Sequence, residues 1–436
     1  MPRTLYSATV VCPMSGPPLP DGGVLVDGAT VVAVGDRTAL HEDAQRHHHI
    51  EGALLPGLVN GHTHLELADA AALAVPGPYA AWLPAVAGTT AGWPEERWGR
   101  SAHRGVLQAL RSGSTAVFDT VTRGPAVPAA SRAGLAGDSY VEVADVDVEH
   151  ADSVVAQVEH ALGLPAEGRR VGVAPASPAR LGTGVLQSLT SLAKRRSAPV
   201  QIHAGESEVE VAALRSGAGP MADRARAGGF AYEWLDTPAP TPVRYLEALG
   251  ALSEATALVH AVRLDAGEAR LLGRLGVAVV CVPRANERLT MGDAPLELFA
   301  DHGVALALGT ESLAAATDLD ILAEAGAWVA LAQRRGLHLW PGRAGPMALA
   351  EAAVRLATID GAHALGWGDR CGVLEVGRRA DLVGVEIPTS ADTVYRDLIE
   401  GGAGRQVLTV LAGVRKARRD SADVAWPDVD DDSWRS

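Results

Sequence analysis

The chain has 436 residues, 47% hydrophobic but only 4% aromatic, so it can bury a large core and must build it mainly from Ala, Val and Leu. Its formal charge of −14 argues against nucleic acid or an anionic membrane surface as partner. Three scattered cysteines, Cys12, Cys281 and Cys371, form no C-x-x-C pair and fit a reducing cytoplasm, and no apolar run reaches the roughly 18 residues of a membrane span.

Residues 5–54 read as short Val-rich strands broken by Gly and Asp, with Asp27-Gly28 as a hairpin signal. His47-His48-His49 lie in this region, but consecutive residues of a strand cannot all face one ion, so they are expected at a solvated edge. At Pro56-Gly57-Leu58-Val59-Asn60-Gly61-His62-Thr63-His64-Leu65-Glu66 an apolar run ends in two histidines with one residue between them. In an extended chain His62 and His64 point the same way, which makes half of a metal site.

From 55 to 370 the rhythm becomes strand, loop, helix. Strand candidates at 114–119, 139–143, 171–175, 199–203, 257–260, 277–282 and 304–309 make eight with the opening run. Helical period appears at 102–111, 154–162, 185–195, 266–275 and 319–333. This α/β alternation predicts a (β/α)8 barrel. A doubly wound sheet would want a Gly-rich phosphate loop after its first strand, where this chain has H-x-H. Two long connections are candidate lids: 207–241, with Phe230, Tyr232 and Trp234, and 76–90, with Tyr79 and the candidate substrate contact Trp82. Such aromatics either line a pocket or pack the loop down.

Short strands return at 372–374, 377–385 and 407–410. The simplest account pairs 1–54 with 371–436 in a small composite β-sandwich module beside a barrel of 55–370, with a loosely held acidic tail from about 420.

The residues that follow the predicted strands fall in order: His62, His64 and Glu66; then His203 and Glu206; then His260; then Cys281-Val282-Pro283-Arg284-Ala285-Asn286; then Gly309-Thr310-Glu311-Ser312. A closed barrel brings all these ends to one face. Three histidines and a carboxylate suit one divalent ion such as zinc, whose bound water becomes a nucleophile near neutral pH.

These motifs resemble the amidohydrolase superfamily over nearly the whole chain: the split β module, P-G-x-x-N-x-H-T-H, and the late Gly377-Arg378-Arg379-Ala380-Asp381-Leu382-Val383. H-x-x-E at His203–Glu206, then V-H, C-x-P-R-x-N and L-G-T-x-S, looks like its nucleoside and purine deaminases. H-T-H-L-E and the trailing Asp318-Leu319-Asp320-Ile321-Leu322 bring the likeness nearest to aminofutalosine deaminases. The resemblance implies His62, His64 and His203 as ligands of one zinc (or iron), Glu311 as the strand-eight ligand, and Glu206 as proton shuttle. It implies that His260 bonds the attacking water or substrate, and that Arg284 and Asn286, with Glu66, lie near the substrate. Dinuclear members use a carboxylated lysine on strand four, and 171–175 offers none, so a mononuclear site is expected. The partner is a small molecule; a homo-oligomer is compatible with everything above.

Two departures stand out. The family ligand on strand eight is Asp, and Glu311 is one methylene longer, a displacement of about 1.5 Å where sites tolerate roughly 0.5 Å. After strand four, where aminofutalosine deaminases carry a His and an aromatic, this chain has Ala176-Ser177-Pro178-Ala179-Arg180. Three readings follow: a mononuclear aminohydrolase on an adenine-like or other amino-heterocycle, a dechlorinase on such a ring, or a metal- or ligand-binding barrel without turnover. Glu206 favours the first, because ammonia needs a proton to leave and chloride does not. Asp318 and Asp320 are the reserve fourth ligands.

Overall fold

The computed structural model describes residues 2–122, 127–146, 148–164, 168–227, 241–342 and 345–426. The N-terminal strands are β1 (Thr4–Val11), β2 (Leu19–Asp27), β3 (Thr30–Asp36) and β4 (Arg46–Pro56). Eight parallel strands follow: β5 (Leu58–Thr63), β6 (Ser114–Val121), β7 (Asp138–Val143), β8 (Arg170–Pro175), β9 (Val200–Ala204), β10 (Thr256–His260), β11 (Ala278–Cys281) and β12 (Leu306–Leu308). A two-strand hairpin, β13 (Leu339–Trp340) and β14 (Met347–Ala348), precedes β15 (Leu382–Glu386), β16 (Gln406–Leu411) and β17 (Val414–Arg418).

The barrel strands pair in chain order from β5 to β12. The ring closes where Thr63 bridges Glu311 and where Asn60 Nδ2 donates to Thr310 Oγ1 at 2.7 Å. Each expected strand agrees with the observed one to within about two residues, because buried parallel strands read as apolar runs bounded by turns. At the N-terminal end of β7, Asp138 accepts from Arg170 Nε and Nη2 at 2.8 Å and from Trp367 Nε1 at 2.9 Å. That end of a barrel carries stability, leaving the opposite mouth for chemistry.

The terminal strands pair into one composite module, a sheet of seven ordered β17-β16-β15-β4-β1-β2-β3. Side-chain alternation explains how one sheet serves two cores. Val10, Ala53, Leu55 and Val383 join the barrel core, while Val11, Leu54 and Leu382 join a second cluster with Val24, Val26, Leu408 and Val410. Residues 372–374 form no strand, and in the run 377–385 the strand proper begins at Leu382, with Arg379 making an isolated antiparallel bridge to Thr30. Asp320 ties the two bodies: it caps the helix Ile321–Arg334 through Leu322 N at 2.9 Å and accepts from Gln406 Nε2 at 2.9 Å and Gly404 N at 2.6 Å. The triple histidine lies at the start of β4 with His47 and His49 exposed and His48 half-buried, His48 stacked on Tyr6 and His47 on His41.

The connection read as a loop at 207–241 contains two helices, Glu208–Ser216 and Pro220–Ala227. Ser207 caps the first, and Glu208 and Glu210 occupy its first turn, a helix start hidden among Ala and Gly. Phe230, Tyr232, Trp234 and the tail from 427 lie outside the described residues. The second expected lid is the helix Tyr79–Thr90. Among the described residues no helix is long and apolar enough to cross a membrane.

Candidate metal centre and active site

Three strands deliver the cluster. His62 lies on β5, with His64 just beyond its end, His203 on β9, and Glu311 in the turn after β12. Gly309 makes room: a Cβ there would meet His62 Cβ and N at 2.9 Å. One donor atom from each of His62, His64, His203 and Glu311 lies within 4.8 Å of every other.

Backbone and amide acceptors fix two of the ring tautomers. His62 Nδ1 lies 2.7 Å from Gln201 Oε1, and Gln201 Nε2 donates to the Gly61 carbonyl at 2.9 Å, so the amide is oriented with its oxygen toward the ring. His203 Nδ1 lies 2.9 Å from the Ala176 carbonyl, which only accepts. Both Nδ1 atoms therefore carry the proton, and both Nε2 atoms are bare. Those two Nε2 atoms face each other at 3.1 Å. Glu311 Oε1 lies 3.4 Å from His64 Nε2 and 3.7 Å from His62 Nε2. A tetrahedral ion with bonds of about 2.0–2.1 Å spaces its ligand atoms about 3.3 Å apart, so this donor set fits one divalent cation. Burial, then the neighbouring imidazoles, hold His203 well below the ordinary histidine pKa, as a ligand requires.

Glu311 absorbs its extra methylene locally. Its backbone is left-handed, with φ of 60°, and its Oε2 accepts from the Ser312 N–H, so Oε1 is left to face the histidines. Asp318 does not compete for the site: it pairs with both terminal nitrogens of Arg284, at 2.7 and 2.8 Å.

Glu206 and His260 stand beside the cluster. Burial pushes the Glu206 carboxyl up to about 7, against the lowering pull of Tyr79 and Arg180. Its Oε1 is buried without a hydrogen-bond partner among the described residues, and its Oε2 lies 3.9 Å from His260 Nε2. Burial takes His260 down to about 4, so it is neutral at pH 7, and its Nδ1 donates to Asn286 Oδ1 at 2.7 Å. That leaves Nε2 as an acceptor.

His64, His203, Glu206, His260 and Glu311 open on a cavity of about 530 Å³. Tyr79, Trp82, Leu83 and Val86 of the helix Tyr79–Thr90 supply its apolar wall. Trp82 is held there by its Nε1, which donates to the Ala314 carbonyl at 2.8 Å. The other expected substrate contacts stand differently. Asn286 touches His260 instead of the cavity, and Arg284 is engaged by Asp318. Glu66 is fully buried behind the wall, accepting from Thr122 N at 2.8 Å and from the Thr122 hydroxyl, because the turn after His64 swings it toward the end of β6.

Sequence reasoning missed Gln201, Glu142 and the group Asp145, Arg180 and Arg224, the last four of which line the cavity. The signal for Gln201 was its place two residues before His203, on the same face of one strand. Asp145 and Arg224 sit in connections whose course no local pattern specifies.

Comparison with known proteins agrees with this geometry. A family model described as the amidohydrolase family matches residues 53–414. An aminodeoxyfutalosine deaminase of Deinococcus radiodurans is 32% identical over 352 residues, covering 77% of this chain and 80% of that protein. A 5-methylthioadenosine/S-adenosylhomocysteine deaminase of Halobacterium salinarum is 33% identical over 398 residues, covering 86% of this chain and 83% of its own. The fold matches a crystal structure of an adenosine deaminase from Xanthomonas campestris with bound zinc, with a TM-score of 0.79 over 99% of this chain and 97% of that one, at 24% identity.

Proposed function

The chain belongs to the amidohydrolase family, and from that premise we propose that it hydrolyses the exocyclic amine of an adenine-like nucleoside and releases ammonia. The observation that carries the reading is Glu206, a buried carboxyl poised at about 7 with one oxygen unpartnered, on the same cavity as a four-donor cluster. Two relatives above 30% identity, each named as a deaminase, support it.

In this proposal His62, His64, His203 and Glu311 hold one divalent ion, zinc ahead of iron, because imidazole and carboxylate donors make a borderline set. When bound, such an ion polarises the site and brings the pKa of water toward neutrality. Glu206 moves the protons: it gives one to a ring nitrogen, takes one from the attacking water and passes it to the departing amine, and recovers the remaining hydroxyl proton as the carbonyl forms and ammonia leaves. A carboxyl near 7 suits both directions of transfer. His260, neutral and held by Asn286, accepts a hydrogen bond from the water or the substrate through Nε2. Trp82 and its apolar neighbours exclude water from the face of a flat ring. A chloride leaving group would give Glu206 no such task. We place the enzyme in the cytoplasm, in keeping with three free, buried cysteines.

The test is metal analysis of the purified protein together with ammonia release from a panel of aminopurine nucleosides. Stoichiometric metal and ammonia from at least one nucleoside are expected. A metal-replete protein that releases none from any of them would leave the barrel without this chemistry.

A further inference from the structure

Behind the proton shuttle lies a buried carboxyl that the proton transfers do not use. Ser207-Glu208-Val209-Glu210 has the S-x-x-E spacing of a capping box, in which the Glu side chain turns back to the backbone N–H of the capping Ser. The helix Ala266–Leu275 shows the ordinary form, with Asp265 and Glu268 satisfying each other. At the helix Glu208–Ser216 only the first half is made: Ser207 Oγ accepts from Glu210 N at 3.4 Å. The Glu210 side chain reaches one residue further, and its Oε2 accepts from Glu206 N at 2.8 Å. Its Oε1 accepts from Ser177 Oγ at 3.1 Å, in the turn after β8.

Glu210 is fully buried, and these partners are hydrogen-bond donors on two different turns. Burying a carboxyl is costly unless its oxygens are met, so the fold keeps one only where it needs a fixed acceptor. Ser177 Oγ also accepts from Ala179 N at 3.2 Å, which stiffens the far end. On the opposite side the Gly205 carbonyl accepts from Val262 N at 2.8 Å and Arg263 N at 2.7 Å, and the Ala204 carbonyl from Ala261 N at 3.1 Å. His260 and Ala261 are left-handed there, with φ of 73° and 45°, a conformation that persists only where its surroundings hold it. The turn that carries Glu206 is therefore braced twice, against the His260 turn on one side and by Glu210 on the other.

We propose that Glu210 is the positioning residue of the proton shuttle, clamping the turn after β9 to the turn after β8 and so fixing Glu206 beside His260 and the cluster; its effect on turnover rests on the nucleoside deaminase reading above. Glu210 does not line the cavity, and both of its oxygens are occupied by Glu206 N and Ser177 Oγ, so it acts only through Glu206. The clamp matters because one carboxyl must serve a ring nitrogen, a water and an amine in turn. A misplacement of about 1 Å in such a group can lower the rate roughly a hundredfold.

The test reads the metal-replete protein in two ways, by hydrogen exchange at the Glu206 amide and by ammonia release from the fastest nucleoside of the aminopurine panel. Glu210→Leu removes the acceptor at similar volume, and the Glu206 amide should exchange at least about tenfold faster while the amides of β11 keep their rates. Turnover should fall by about tenfold to hundredfold in kcat, with KM within about twofold and metal content unchanged. Glu210→Gln keeps an oxygen for the Glu206 N–H and should recover most of both losses. Ser177→Ala cuts only the far end of the clamp and should move exchange and kcat the same way by less, which keeps the test open if Glu210→Leu folds poorly. Added to Glu206→Gln, Glu210→Leu should cost no more than about a further twofold, because a residue that acts through another has nothing left to act on. Unchanged exchange at Glu206 in folded Glu210→Leu would overturn the proposal, as would rate losses that multiply in the double variant. Faster exchange in a protein whose wild type releases no ammonia from any nucleoside would instead sink the deaminase reading and leave the clamp standing.

Discussion

The Nε2 atoms of His62 and His203 face each other at 3.1 Å, and neither carries a proton, because Gln201 and the Ala176 carbonyl occupy the opposite ring nitrogens. Two lone pairs at that distance repel unless a cation lies between them. Removing metal with a chelator should therefore lower the thermal midpoint by several degrees, and adding one equivalent of zinc should restore it. His203→Ala should lose most bound metal by elemental analysis. Full occupancy in that variant would mean the ion, if any, sits elsewhere.

Gln201 makes a separate test, since it touches no substrate. Its Oε1 accepts hydrogen bonds from His62 Nδ1 at 2.7 Å and from Thr120 Oγ1 at 3.1 Å. Gln201→Leu removes the acceptor that sets the tautomer, and loss of such support typically costs about 10–100-fold in metal affinity. Competition against a chromogenic chelator measures it. Gln201→Glu, which keeps an acceptor, should bind metal far better than Gln201→Leu, and equal affinities would show that ring orientation is set by packing alone.

Much of this was legible from local pattern. The strands of the barrel are apolar runs, and side-chain alternation alone puts His62 and His64 on one face. The donors converge because a closed parallel sheet brings every strand end to one mouth. What the pattern could not carry was the direction of side chains beyond the strands. Glu66 and Arg284 sit beside cluster residues in sequence, yet one turns behind the wall to Thr122 and the other is captured by Asp318. Arg224 is the converse case: its place on the cavity depends on how a helix in a long connection docks, which no local spacing encodes.

Glu206→Gln keeps the shape of the side chain and removes its titration. The histidine cluster should keep its metal, and ammonia release should fall by about 10²–10⁴. Metal content and turnover measured on one preparation decide it. Turnover close to wild type would remove Glu206 from proton transfer while leaving the fold and the cluster untouched.

Glu324 gives the fold a pH dependence away from the cluster. It is fully buried on the helix Ile321–Arg334, and burial pushes its carboxyl up to about 8 despite the nearby Arg284. The folded chain thus holds a proton that the unfolded chain releases near the ordinary glutamate value of 4.5. Its contribution is complete below that value and is lost as pH rises toward about 8. Glu324→Gln, which cannot ionise, should show a flatter decline of stability between pH 5 and 8 in denaturant titrations. Parallel profiles for the two proteins would place the Glu324 carboxyl in its ordinary range.

Glu311 decides whether the unusual fourth ligand is a defect or an adaptation. Its Oε1 already lies 3.4 Å from His64 Nε2, the spacing that ligands of one ion require, so the longer side chain has been accommodated. The accommodation is visible in the turn, where a left-handed backbone folds the side chain back and the Ser312 N–H takes up Oε2. Shortening to Asp pulls the carboxylate away by about 1.5 Å, beyond what such a site absorbs without moving the backbone. The left-handed conformation itself favours Asp over Glu, so Glu311→Asp should fold at least as well as the wild type. It should nevertheless bind metal more weakly and release ammonia at least about tenfold more slowly. Thermal melting, metal content and turnover on the same sample separate the two effects. A variant that binds metal as tightly and turns over faster would show that Glu311 is a handicap this fold merely tolerates.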